Sequence, residues 1–214
     1  MKNILKYHIA IATAAIAMAT ISCSTEDPVG STVTNYAILE MAGDRITVLT
    51  EGDAFTDPGV IGTIDGEVVD VTVDGNVDTN TPGVYNIYYS AINEDGFPAE
   101  VRRIVIVLES DPSTVNLEGV FYRNGNPNTV TRLDERVYQA NNAGGLAASD
   151  DDNWLNVTFY NIDDETLYIP YQENVSETGI DVESISGEIV TQDNFTWVLS
   201  ASSYYGTAVR NFVR

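Results

Sequence analysis

From Val33 to the C-terminus, apolar residues either alternate with polar ones or come in runs of four to eight, broken at short intervals by Gly, Asn, Asp and Pro. A helix needs apolar positions three and four apart, sustained over about ten residues, and no such period is present, so the chain is read as all-β. In the N-terminal half strands are expected over 35–41, 45–49, 68–73, 84–91 and 101–109. Turn chemistry separates them at Asp57-Pro58-Gly59, Asp65-Gly66, Asp74-Gly75, Thr81-Pro82-Gly83 and Asp95-Gly96. That spacing suggests a β-sandwich. Residues Ile104 to Leu108 are apolar in succession, as expected of a strand covered on both faces or ending between two modules. Ser110-Asp111-Pro112-Ser113 breaks the run, because Pro112 cannot donate to a ladder, and the domain boundary is placed there. A sandwich over 35–110 and a second β domain over 113–214 follow.

In the second domain strands are expected over 117–124, 130–139, 154–160, 166–171, 180–185, 187–191, 195–203 and 207–213. Short polar links at 161–165 and 192–194 point to antiparallel hairpins. Eight strands suit either a second sandwich or a closed barrel, and periodicity does not choose. The stretch 141–153, with Gly144-Gly145 and Asp150-Asp151-Asp152, is the one long polar insertion, and is expected to be functional or disordered.

The first twenty-two residues are of another kind. Lys2 and Lys6 precede thirteen uncharged residues, 9–21, too few to span a bilayer and suited to a signal-peptide core. Thr20-Ile21-Ser22-Cys23 resembles the lipobox of bacterial lipoproteins, with Thr20 where Leu is usual, as in the looser lipoboxes of Bacteroidetes. The resemblance implies lipidation at Cys23, which accounts for the chain's single Cys. Residues 23–34 then form an acidic tether whose Ser24-Thr25-Glu26-Asp27 looks like the export signal that sends such lipoproteins to the outer face of the outer membrane.

From Cys23 onward the chain has eight Arg, no Lys and no His against thirty-two carboxylates, a formal charge of −24. Without imidazole, amine or spare thiol it cannot build a Ser-His-Asp or Cys-His site, a Schiff base, or a zinc site of His and Cys. It also repels nucleic acid. Asp74, Asn76, Asp78 and Asn80 alternate as in a calcium loop, but Thr79 stands where Gly is needed and Tyr85 where Glu is needed. The groups Asp150-Asp151-Asp152 and Asp163-Asp164-Glu165 read as solvated loops, so no metal and no cofactor is expected. Paired carboxylates could also serve a glycoside hydrolase, yet no pair sits in a catalytic frame, and that remains a remote alternative.

Residues 46–107 resemble the bacterial Ig-like domain described for pesticidal crystal proteins. The resemblance rests on Gly52, Phe55-Thr56-Asp57-Pro58-Gly59-Val60, Asp65-Gly66, the block from Gly75 to Tyr85, Tyr88-Tyr89-Ser90-Ala91 and Asp95-Gly96, with Phe97 and Asn93 as departures. It implies a non-catalytic sandwich that serves as spacer or adhesion module. The half from Leu117 looks like the uncharacterised β domain that Bacteroides lipoproteins pair with this module.

Nine Tyr and Trp residues lie in the second half, most of them expected in the core. Trp154 beside the polar insertion, and Tyr204 and Tyr205, adjacent and therefore facing opposite ways in a strand, are the candidate ligand-binding residues. An aromatic face stacks on a sugar ring while its polar edge stays hydrated. The expectation is thus a lipid-anchored outer-membrane surface protein, not an enzyme, that binds a glycan or a partner protein through its C-terminal domain. The rival is a purely structural or adhesive protein.

Overall fold

The structure, a computed structural model, describes residues 33–201 and 205–214. The expected signal segment, the expected tether up to residue 32, Cys23 and Tyr204 lie outside the described residues.

The first seven strands are β1 (Ile38–Met41), β2 (Ile46–Thr50), β3 (Val60–Ile64), β4 (Glu67–Val69), β5 (Thr72–Asp74), β6 (Gly83–Ile92) and β7 (Pro98–Leu108). They make two sheets, β1-β3-β4 and β2-β7-β6-β5, with β2 parallel to β7 and the other pairs antiparallel. Ile87, Tyr89, Val105 and Val107 point into the space between the sheets, where Met41, Leu49, Phe55, Val60 and Val71 meet them. Two expectations need correction. Strand β3 falls where none is expected, because Gly59 and Gly62 mask its alternation. The expected strand 68–73 is two strands in different sheets, since the chain crosses over at Asp70 and Val71.

The Asp-Pro-Gly motif has a structural cause. Arg103, fully buried on β7, pairs with Asp57 at 3.2 Å and donates to the carbonyls of Ala42, Asp44 and Gly59. Tyr89 donates its hydroxyl to Asp57 at 2.5 Å and accepts from Arg103 Nε. Burial, reinforced by that carboxylate, pushes the Tyr89 hydroxyl pKa up. A charge inside a sandwich needs such a full set of partners.

The second half contributes β8 (Gly119–Arg123), β9 (Asn126–Asp134), β10 (Val137–Ala140), β11 (Val157–Asn161), β12 (Leu167–Tyr168), β13 (Val182–Thr191), β14 (Asn194–Ala201) and β15 (Arg210–Val213). They form one sheet in the order β12-β11-β10-β9-β8-β15-β14-β13, antiparallel throughout. Its two ends come together through the bridges Thr166–Glu188 and Gln172–Val182, and the Ser184 amide donates to the Ile169 carbonyl. The sheet is therefore a nearly closed up-and-down barrel, the closed alternative of the two left open by the sequence. Gly187 sits on the closing seam, where a Cβ would lie 2.5 Å from the Leu167 carbonyl oxygen. The interior is solid. Phe121, Tyr138, Phe159, Phe195, Trp197, Leu199 and Phe212 fill it, with Phe195 stacked on Phe212 and edge-on to Phe121. The expected strand 130–139 divides at the turn around Glu135, and the expected strands 180–185 and 187–191 are one bulged strand.

Residues Tyr36–Arg214 form one compact unit. Alternation on β7 sends Ile104, Ile106 and Leu108 away from the sandwich interior, where they pack with Ile46, Val84, Tyr160, Ile162 and Tyr168. Both faces of that apolar run are covered, one by its own sandwich and one by the barrel. Arg102 pairs with Glu183 at 2.7 Å, and Glu183 also accepts from the Tyr168 hydroxyl at 2.6 Å. Buried Arg136 joins Glu109 to Asp164, while Asp164 accepts from Ser113, Thr114 and Asn161. The link at 110–113 is thus tied down by hydrogen bonds at its C-terminal end.

Candidate functional site

The polar insertion after β10 is ordered by one buried side chain. Asn142 donates to the carbonyls of Pro127 and Leu146 and accepts from the Leu146 amide, while its own amide donates to Asn128. Trp197 reaches out of the core to donate to the Ala143 carbonyl at 2.8 Å. The chain then makes a short 3-10 turn, Ala148–Asn153, and presents Trp154. These bonds make the insertion an ordered shelf on the barrel.

Trp154 is half-buried, and its indole Nε1 donates to the Ala147 carbonyl at 3.1 Å, which fixes the ring. It lines an open cleft of about 400 Å³ with Asn141, Asp151, Asn156, Asn174, Val175, Ser176 and Glu177. The opposite wall comes from the loop between β12 and β13. That loop is fastened to the shelf by the Asn156 amide on the Val175 carbonyl, 2.8 Å, and by the Thr178 hydroxyl on Asn153, 2.7 Å. Asp181 braces it from behind by accepting from the Asn174 amide and the Tyr171 hydroxyl.

Tyr205 belongs to the scaffold of this cleft. Its hydroxyl donates to the Asn153 carbonyl at 2.6 Å, its ring lies against Gly144, and the Arg210 guanidinium stands 5.2 Å above the ring. Any side chain at Gly144 would collide with that ring. Arg210 donates to the carbonyls of Gly206 and Ala208 and so shapes the turn that carries Tyr205. Among the described residues the expected strand over 195–203 runs to Ala201, and Tyr205 is in no strand, while Tyr204 lies outside the described residues. The structure therefore brings Trp154 and Tyr205 to one loop, the first on the cleft wall and the second as its support.

Sequence reasoning singled out Trp154 and missed the residues across from it. The run from Glu173 to Gly179 is polar and punctuated, and only its placement opposite the 141–153 insertion gives it a role. The acidic groups take structural positions. Asp78 accepts from Asn80 and Thr81 in the turn before β6. Asp163 accepts from the amides of Glu165 and Thr166. Burial alone would raise the Asp164 carboxyl, but hydrogen bonds from Ser113, Thr114 and Asn161 outweigh it and hold its pKa far below the ordinary value of 3.8.

The geometry defines a class, a sandwich joined to a filled barrel with a shallow aromatic cleft at one end of the barrel. Residues 39–107 match the family of bacterial surface protein Ig-like domains. Among curated proteins none matches the chain. Of solved structures, the lipoprotein BT2262 from Bacteroides thetaiotaomicron is 23% identical, over 83% of this chain and 98% of that one, with a TM-score of 0.37. The M60 catalytic domain with the CBM51-1 and CBM51-2 domains of ZmpB from Clostridium perfringens is 12% identical, over 85% of this chain, with a TM-score of 0.32. The match covers only 21% of that second protein. At such TM-scores neither likeness bears on what this chain does.

Proposed function

We propose that the chain is a non-catalytic lipoprotein, anchored through Cys23 in the outer membrane of a Bacteroidetes-type bacterium, which binds a glycan through the barrel cleft. The Ig-like sandwich serves as spacer. The observation that carries this reading is the Trp154 indole, locked by its bond to Ala147 on the wall of an open cleft rich in amide side chains. A fixed aromatic face offers stacking at little entropic cost, and Asn141, Asn156 and Asn174 supply donors and acceptors suited to hydroxyls. A glycan array probed with residues 30–214, then repeated with Trp154→Ala, tests it. Binding that disappears in the variant supports the reading, and absence of binding at millimolar sugar removes it.

The structural or adhesive reading has one observation in its favour. Ile38, Thr63 and Val68 lie in one row across the β1-β3-β4 sheet, with Ile38 and Val68 exposed on its outer face. Cell fractionation after Cys23→Ala tests the anchor: release of the protein from membranes is expected, because stable attachment needs more than one acyl chain.

A further inference from the structure

We propose that the Trp154 cleft selects its glycan by charge, preferring units with a free amine, accepting neutral ones and rejecting those that carry carboxylate or sulfate. The proposal rests on the glycan-binding reading above and names the class of sugar. Two of the lining residues, Asp151 and Glu177, are exposed carboxylates, and no Arg lines the cleft. From Cys23 onward the chain also has no Lys or His. Its Arg side chains are all engaged, and none of them is part of the lining. Arg102, Arg103, Arg132, Arg136 and Arg214 are ion-paired, and Arg45 lies 4.8 Å from the Tyr171 ring. Arg123 and Arg210 stand behind the cleft, where they donate to the carbonyls of Gly144, Gly206 and Ala208 in its supporting segments.

An anionic sugar entering the cleft would lose hydration and meet only like charge on the lining itself, in a chain that from Cys23 onward carries −24. An ammonium group also sheds water, but it reverses the charge term. It gains two carboxylate acceptors, and the face of the indole attracts a cation as well as the apolar side of a pyranose ring. The Asn amides treat all three sugar types alike, so the ranking comes from Asp151 and Glu177.

The test is an array that presents each hexose with a free 2-amine, with that amine acetylated, and with a carboxylate at C6, probed with residues 30–214 at low salt. The amine form is expected to bind about tenfold more tightly than the carboxylate form, with the acetylated form between them, and the span should shrink in 0.5 M sodium chloride. In the double variant Asp151→Asn, Glu177→Gln the ranking should collapse to about twofold. Binding that ignores charge, or that favours the carboxylate form, overturns the selection while leaving the glycan reading intact. Binding to no sugar overturns both.

Discussion

Asp164 shows how a residue that looks like surplus charge becomes structural. It takes hydrogen bonds from Ser113, Thr114 and Asn161 and an ion pair from buried Arg136, so it holds the segment after the link onto the barrel. Asp164→Ala is expected to cost about 2–3 kcal/mol, seen as a lower Tm, because Arg136 keeps Glu109 and the Asp111 carbonyl but loses its second carboxylate. The pH dependence has a definite sign. A folded pKa below the ordinary 3.8 means that the unfolded chain binds the proton more readily. The stabilisation is therefore complete above about pH 5 and is lost as pH falls below about 4. Comparing Tm against pH for the native chain and Asp164→Asn checks this: the gap between them should close on acidification, and a constant gap would refute it. In sequence, Asp163-Asp164-Glu165 is a charge run like any other in a chain with thirty-two carboxylates. Its meaning depends on Arg136, twenty-eight positions away in the chain.

Strands were legible where alternation and turn residues agreed, as in β6 and β14, and illegible where they conflicted. Gly62 interrupts β3 because a Cβ there would press on Val71 at 2.8 Å, so the residue that erases the pattern is required by the packing. Likewise the turn between β9 and β10 is built from Glu135 and Arg136, residues with no turn signature in sequence. The successive apolar residues of β7 carried more information. Their two-sided character is explained by Ile106, which packs against the cluster that contains Ile162 and Tyr168 of the second half. Ile106→Ala is expected to cost about 2–5 kcal/mol, as for other buried Ile truncations. Gly187→Val should weaken the barrel at its closing seam, with faster amide exchange at Ser184 and Ile189, which donate across the seam, than at the interior of β14. Equal exchange at the two places would contradict the closure.

On the scale of the whole molecule, the lengths of the two halves, each enough for a small domain with its own core, favour independent melting. The cluster around Ile104, Ile106 and Ile162, together with the Arg102–Glu183–Tyr168 chain, couples them. Calorimetry on residues 30–214 should show one transition in the native chain, and Ile106→Ala should lower that transition or split it. Two separate transitions in the native chain would mean that the shared cluster contributes little. The binding site depends on the same principle of long-range support, since Trp154 was visible as an aromatic beside a polar loop while its partners at 174–177 come from another connection of the barrel. The most direct test of the cleft uses the protein's own tryptophans. There are only two, Trp197 sealed in the barrel core and Trp154 on the cleft wall, so emission that responds to ligand reports on Trp154. Titrating the native chain with the tightest-binding glycan from the array should give a saturable blue shift whose midpoint matches the Kd from calorimetry. Saturable binding by calorimetry with unchanged Trp154 emission would place the ligand elsewhere and contradict the assignment of the site.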